Sequence, residues 1–238
     1  MNGDLKLTLP PPLELQLLAA PGQLQAAWLV AEGYSNDELG MRFDDWFEVF
    51  LLTMRQEGLI DSLAGEAAEA IATQLEVMRK TGARLLWTAT AELHGAPEWQ
   101  RLRDLARPAL DTLGVPSSGY DVLAGVGPAK MIQALRELLG WLAQPATEQG
   151  LYLDQPFAPP VQDLPLTLDD CVTAFIPRLT STGSVSPAAA TAATAVRDFI
   201  RSPAVQADPA LCDQTTLATS ETWATLRGLA RAALDALG

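Results

Sequence analysis

Residues 99–114 read WQRLRDLARPALDTLG, and residues 223–238 read WATLRGLARAALDALG. Eleven of these sixteen positions are identical at a constant offset of 124 residues. The identities include a Trp, two Arg, an Asp and the final Gly besides the common Leu and Ala, so chance is a poor explanation. The apolar residues recur at helical spacing, and the pattern therefore predicts one amphipathic helix that occurs twice.

The likeness continues upstream at an offset of 125, which requires a gap of one residue. The matched positions include Asp44-Asp45 with Asp169-Asp170, Phe50 with Phe175, Gly58 with Gly183, Ile71 with Val196, and Leu75 with Ile200. These matches define two repeat cores, 43–114 and 168–238. We predict an all-α protein of tandem-duplicated helical modules packed into one body. Its halves would be residues 1–114 and 115–238, with a connector over 115–167.

Periodicity and capping residues predict the individual helices. They run over 23–32, 45–57, 61–80, 83–93, 98–113, 128–142 and 187–200. The stretch 145–165 contains five prolines and predicts an extended crossover between the two copies. Alternation over 5–9 and 151–153 is too brief to predict a sheet.

The composition excludes several classes of protein. The chain is 48% apolar, which excludes wholesale disorder, and its net charge of −13 argues against a dedicated binder of the nucleic-acid backbone. One His and two Cys argue against zinc fingers, His-rich metal sites and disulfide scaffolds. We interpret Cys171 and Cys212 as reduced core thiols; the alternative is a disulfide or redox pair. No apolar run approaches the roughly 18 residues that a membrane span needs, and the N-terminus does not have the pattern of a secretory signal. We therefore expect a soluble cytoplasmic protein with no membrane span, cofactor or metal.

The segment LVAEGYSNDELG at 29–40 resembles the front half of the helix-turn-helix in LuxR-type response regulators. There, a Gly and a polar cap separate a first helix from a short second one, and a recognition helix follows. The resemblance implies a nucleic-acid-associated regulator. The would-be recognition segment at 44–59 carries four acidic residues against the single Arg55, however, and phosphates would repel it. We favour a core helix that packs Trp46, Phe47 and Phe50.

Three other groups of residues could carry chemistry. The Asp pairs 44-45 and 169-170 could bind a divalent cation, but we interpret them as helix caps, because Glu48 has no acidic counterpart in the second copy. His94 lies near a predicted helix end, and no nucleophile motif accompanies it. The run 125–130, GVGPAK, lacks phosphate-loop spacing and is interpreted as glycine punctuation before a helix.

Two arginines match across the copies, Arg103 with Arg227 and Arg107 with Arg231. They are four residues apart and share a helix face, with Asp111 or Asp235 four residues further on. They could form a solvated, salt-bridged face, a contact between the copies, or paired basic strips that grip an acidic partner or nucleic acid. We take these four arginines as the candidate interaction residues.

The two copies retain a packing pattern more than they retain reactive groups. We therefore predict a non-enzymatic protein–protein interaction or regulatory module, with a protein partner or self-association, including a homodimer. One alternative is a nucleic-acid-associated regulator. The net charge of −13 argues against this alternative but does not exclude it. A second is an enzyme with a carboxylate-lined site between helices, for example Glu66, Glu69 and Glu76.

Overall fold

A computed structural model describes residues 13–47, 56, 62–82, 84–113, 121–155 and 158–238. Every regular element among these residues is a helix, which confirms the all-α prediction. The α-helices are α1 (Leu13–Ala19), α2 (Gly22–Glu32), α3 (Asp37–Trp46), α4 (Ser62–Thr81), α5 (Leu85–Thr88), α6 (Thr90–Gly95), α7 (Pro97–Thr112), α8 (Pro128–Ala143), α9 (Ala146–Leu153), α10 (Asp163–Ser181), α11 (Pro187–Ile200), α12 (Pro203–Gln206) and α13 (Glu221–Leu237). Short 3₁₀ turns occupy Pro209–Cys212 and Gln214–Thr216.

The chain divides into two compact units. The first comprises Met1–Ala20, Glu38–Gly82 and Pro97–Val122; the second comprises Pro21–Asp37, Ala83–Ala96 and Leu123–Gly238. The halves predicted from the sequence, 1–114 and 115–238, stay a prediction.

In the first unit, α7 packs against both α1 and α4. Its inward stripe of Trp99, Leu102 and Ala106 is fully buried. Burial of the Trp99 and Leu102 side chains is the main contribution of this helix face to the stability of the unit. The small side chain of Ala106 lets the neighbouring helices approach closely.

In the second unit, α10 packs against α2, α6, α8 and α11, while α13 packs against α8 and α11. Helix α10 is buried over most of its length, with Leu168, Val172 and Phe175 at its centre. A helix this enclosed must find partners inside the fold for any polar side chain that it carries.

Two of the predicted capping signals are confirmed, at the end of α2 and at the start of α11. Gly33 adopts a left-handed φ of 76° directly after α2, and its backbone N–H bonds back to that helix. Ser186 accepts a hydrogen bond of 3.1 Å from the backbone N–H of Ala189, with Pro187 as the first residue of α11. These local signals fix where α2 ends and where α11 begins.

The prediction of one helix over 83–93 is wrong. The segment forms α5 and α6, separated by Ala89 in an extended conformation. The buried side chain of Asn36 donates hydrogen bonds to the carbonyl oxygens of Leu86 and Ala89, at 3.3 and 2.7 Å. These bonds satisfy carbonyl groups that a continuous helix would have used, so the break costs little.

The prediction of an extended segment over 145–165 is also wrong. Helix α9 begins directly after Pro145, and its eight residues contain no proline. Helix α10 already begins at Asp163, with Pro165 in its first turn, where the N–H that proline lacks has no helical partner. Leu151 and Leu153 are therefore helical, while residues 5–9 lie outside the described part of the chain.

The two cysteines differ in their surroundings. Cys171 is buried in α10, as predicted for a core thiol, whereas Cys212 is exposed, so the prediction is wrong for that residue. Neither forms a disulfide. Separately, none of the helices in the described ranges combines the length and apolar character that a membrane crossing requires.

Gly22, the first residue of α2, is expected to tolerate no side chain. A Cβ there would collide with the carbonyl oxygen of Leu93 and lie 2.9 Å from its carbonyl carbon, and backbone atoms cannot yield as a side chain could. We expect Gly22→Ala to lower the free energy of unfolding by about 1–3 kcal/mol in urea denaturation.

Gly140, inside α8, is the matched control, because a Cβ there meets no heavy atom within 4 Å. Gly140→Ala should raise the free energy of unfolding by about 0.5–1 kcal/mol through helix propensity. A Gly22→Ala protein at least as stable as the wild type would contradict the close approach of α2 to α6.

Candidate functional site

An open groove of about 450 Å³ runs along α9 in the second unit. Its lining residues are mostly small: Ala146, Thr147, Gly150, Asp154, Gln214, Thr215, Leu217 and Ala218. The side-chain amide of Gln214 donates a hydrogen bond of 2.8 Å to Asp154 and thereby joins the two walls. We call this feature the α9 groove.

Helix α9 is held in place by Gln149 on its inward face, which is fully buried. The Gln149 amide donates a hydrogen bond of 3.1 Å to the carbonyl oxygen of Leu142, near the end of α8. Its carbonyl oxygen accepts one of 3.2 Å from Nη1 of Arg227 on α13. Because a buried amide bonded on both sides resists rotation of its helix, the groove face keeps its orientation.

Leu151 lies at the edge of the groove face, one helical turn from both Thr147 and Asp154, and its exposed fraction is 71%. The next residue, Tyr152, turns towards the ring of Trp141, with the ring centroids 5.6 Å apart. Leu151 is therefore an exposed apolar side chain beside the groove.

The opposite wall is anchored to the first turn of α13. The indole N–H of Trp223 donates a hydrogen bond of 2.9 Å to the carbonyl oxygen of Ala210. Asp213 accepts bonds of 2.9 and 2.7 Å from the backbone N–H and the hydroxyl of Thr215. The hydrogen bond from the Thr215 hydroxyl, and to a smaller extent the one from its backbone N–H, hold the pKa of Asp213 below its usual range. This carboxylate is therefore ionised at neutral pH.

A second polar feature lies between α6 and α10. Asp163, Thr167 and Asp170 share one face of α10 and are buried. The backbone N–H of Thr90 donates a hydrogen bond of 3.1 Å to Asp163, and Nε2 of His94 lies 2.7 Å from Oδ2 of Asp170. Two carboxylates thus tie both ends of α6 to α10, and we call these five residues the α6–α10 seam.

Burial governs the protonation of the seam. It raises the pKa of Asp163 to about 6, although the N–H of Thr90 opposes the rise. Burial also raises the pKa of Asp170, against the hydrogen bond and charge of His94. The pKa of the Cys171 thiol, enclosed by the core, is raised well above its usual value. The seam can therefore bind a proton in mildly acidic solution, while the neighbouring thiol stays protonated and unreactive.

The interpretation of the two Asp pairs as helix caps is wrong. Asp44 and Asp45 lie in the last turn of α3, and Asp169 and Asp170 lie inside α10, because α3 already begins at Asp37 and α10 at Asp163. The first Asp of each pair instead forms an ion pair with an arginine on another helix or directly after one. Asp44 pairs with Arg79 of α4, and Asp169 lies 2.6 Å from Nε of Arg201, directly after α11.

Possible metal ligands do not gather in the described ranges, where no three His, Cys, Asp or Glu side chains come close enough to hold an ion. Glu66 and Glu69 are exposed on α4, and Glu76 pairs with Lys80 at 2.9 Å. These three carboxylates, which the sequence suggests as an enzyme site between helices, are therefore exposed to solvent.

The four candidate interaction arginines each bond within the fold. Arg103 has an exposed fraction of 3%, and its Nε donates a hydrogen bond to Gln100, whereas Arg107 pairs with Asp104 at 3.3 Å. Arg227 donates a bond of 2.9 Å to the carbonyl oxygen of Leu217, and Arg231 one of 2.7 Å to that of Ala143. Their role in binding a partner stays a prediction.

The helix-turn-helix-like segment is described only in its first part. Trp46 and Phe47 are half-buried and contact the buried ring of Phe43, with ring centroids 5.5 and 5.9 Å away, so they lie at the edge of the core and not inside it. Phe50 and most of the would-be recognition helix lie outside the described residues. In the glycine-rich run, Nζ of Lys130 lies 2.6 Å from Oε2 of Glu32. Gly127 is the N-cap of α8, as predicted for glycines that directly precede a helix.

No protein-family model, curated protein or solved structure matches the chain at a significant level. Neither the α9 groove nor the α6–α10 seam was predicted from the sequence. Each joins residues about 60–80 positions apart that share no spacing motif.

The seam makes the stability of the protein depend on pH through Asp163. The folded-state pKa of about 6 exceeds the usual 3.8, so folding favours the protonated form. The protonated Asp163 carboxyl group therefore makes its full contribution to the free energy of unfolding below about pH 4, and this contribution is lost as the pH rises through 6. Relative to wild type, Asp163→Asn should therefore gain up to about 3 kcal/mol in the free energy of unfolding between pH 4 and 7.

Urea denaturation at a series of pH values measures this difference. Asp235→Asn, on the exposed surface of α13, removes the same charge and serves as the control. A stability difference between Asp163→Asn and wild type that stays constant over this pH range would contradict the buried position of the carboxyl group.

Proposed function

We propose that the chain is a non-enzymatic helical module that binds a segment of a protein partner in the α9 groove. The observation that carries the proposal is Leu151, a large apolar side chain with an exposed fraction of 71% beside a groove lined by small residues. Burial of such a side chain on binding supplies about 1.5–3 kcal/mol, and exposed apolar surface next to a concave site is typical of interfaces.

We also infer that residues 43–114 and 168–238 arose by duplication. The packing of α7 on α4 has a parallel in the packing of α13 on α11. Trp99, Leu102 and Ala106 are fully buried, and so are their matches Trp223, Leu226 and Ala230. The pairing of Asp44 with Arg79 also parallels the pairing of Asp169 with Arg201, although the arginines are displaced by one helical turn in the alignment.

The duplication supports a binding role over a catalytic one. What the copies share is buried packing and one ion pair, whereas the polar groups diverge. Asp170 is buried and bonded to His94, but its match, Asp45, is exposed at the end of α3. A unit preserved for its shape is suited to present a surface.

Site-specific photo-cross-linking tests the proposed groove. A photoreactive residue in place of Ala218, which lines the groove, should cross-link a partner in cells that produce the protein. The same residue in place of Val77, exposed on α4, is the control and should not yield that product. Leu151→Asp should remove most of the cross-linking at 218 without changing the melting temperature, because its side chain is already solvated.

Mass spectrometry of the product identifies the partner. A product between two copies of the chain would make self-association the function of the groove. The proposal is wrong if position 218 yields no product beyond that of position 77, or if Leu151→Asp leaves its yield unchanged.

A further inference from the structure

We infer that the segment bound in the α9 groove is a basic amphipathic helix, with apolar side chains on one face and Lys or Arg beside them. This inference rests on the proposed function and adds the chemistry of the partner. It is carried by the distribution of charge around an apolar groove.

Carboxylates border the groove on both walls. Asp154 lines it directly, and Asp213 is exposed beside Gln214 on the other wall. None of the eight lining residues is Lys or Arg. The nearby Arg227 donates hydrogen bonds to the carbonyl oxygen of Leu217 and to Gln149, which directs its charge into the fold. A ligand in the groove therefore meets negative charge at its rim.

The placement of Asp154 strengthens this argument. It is the C-cap of α9, where the helix dipole already presents partial negative charge. A carboxylate is disfavoured at that end of a helix, so helix capping does not explain it. Its hydrogen bond from Gln214 holds the carboxylate at the groove. A cation placed there would interact with the dipole and with the carboxylate together.

The apolar part of the groove selects the form of the ligand. Ala146, Gly150 and Ala218 leave the groove floor without large side chains, and Leu151 stands at its edge. A volume of about 450 Å³ accommodates a few side chains from one face of a helix. This arrangement fits the docking of an amphipathic helix through apolar anchors spaced three and four residues apart.

The test uses two synthetic peptides of about 14 residues, long enough to form a helix on the surface. Both carry Leu at the first, fourth, fifth and eighth positions; one has Lys at the remaining positions and the other has Glu. We expect fluorescence anisotropy to show binding of the Lys peptide and none of the Glu peptide. Raising the salt from about 50 to 300 mM should weaken the binding.

Charge-removing variants locate the binding site. Asp154→Asn combined with Asp213→Asn should weaken binding of the Lys peptide about three- to tenfold. Glu66→Gln combined with Glu69→Gln removes the same charge from an exposed face of α4 and should leave binding unchanged. Leu151→Ser should also weaken binding, whereas Leu85→Ser, at another exposed leucine, should not.

Equal binding of both peptides, or equal effects of the two charge-removing pairs, would overturn the inference and leave an apolar docking groove. Failure of the Lys peptide to bind would also overturn it. The proposed function fails separately, through the absence of a groove-specific cross-link. A partner cross-linked at position 218 through an acidic segment would preserve that function and refute the basic ligand.

Discussion

Both units depend on the burial of one helical stripe. A Trp is followed three, seven and ten residues later by Leu, Ala and Ala, as Trp99, Leu102, Ala106 and Ala109 in α7 and as Trp223, Leu226, Ala230 and Ala233 in α13. None of these side chains has an exposed fraction above 2%. The indole ring fills the space at one end of the interface, and the alanines let two further helices pack closely at the other. Larger side chains at the alanine positions would force those helices apart.

The α13 stripe also shapes the candidate binding surface. Trp223 is fixed by its burial, and its indole N–H holds the carbonyl group of Ala210 in the 3₁₀ turn that precedes the far wall of the groove. One turn later, Arg227 bonds both Leu217 in that wall and Gln149 under α9. A single packed helix thus positions both sides of the groove. The groove can remain open because its walls do not depend on a ligand for their own packing.

The sequence predicts those parts of the fold that depend on local signals. Helices α2, α8 and α11 combine apolar periodicity with a glycine stop or a Pro start, and their bounds agree with prediction within one residue. The sequence does not predict helix α9, because the five prolines in 145–165 indicate an extended segment although the eight residues of α9 contain none. The break at Ala89 was missed because it depends on Asn36, more than fifty residues away. The groove and the seam are likewise formed by tertiary contacts, which no spacing pattern reveals.

A crystal structure of the full chain is the most direct measurement of whether one packing unit occurs twice. We expect α4 and α7 to superpose on α11 and α13, with Trp99 over Trp223 and the Asp44–Arg79 pair near the Asp169–Arg201 pair. Helix pairs that cross at different angles, or a Trp99 side chain turned to solvent while Trp223 is buried, would contradict a duplication preserved for its shape.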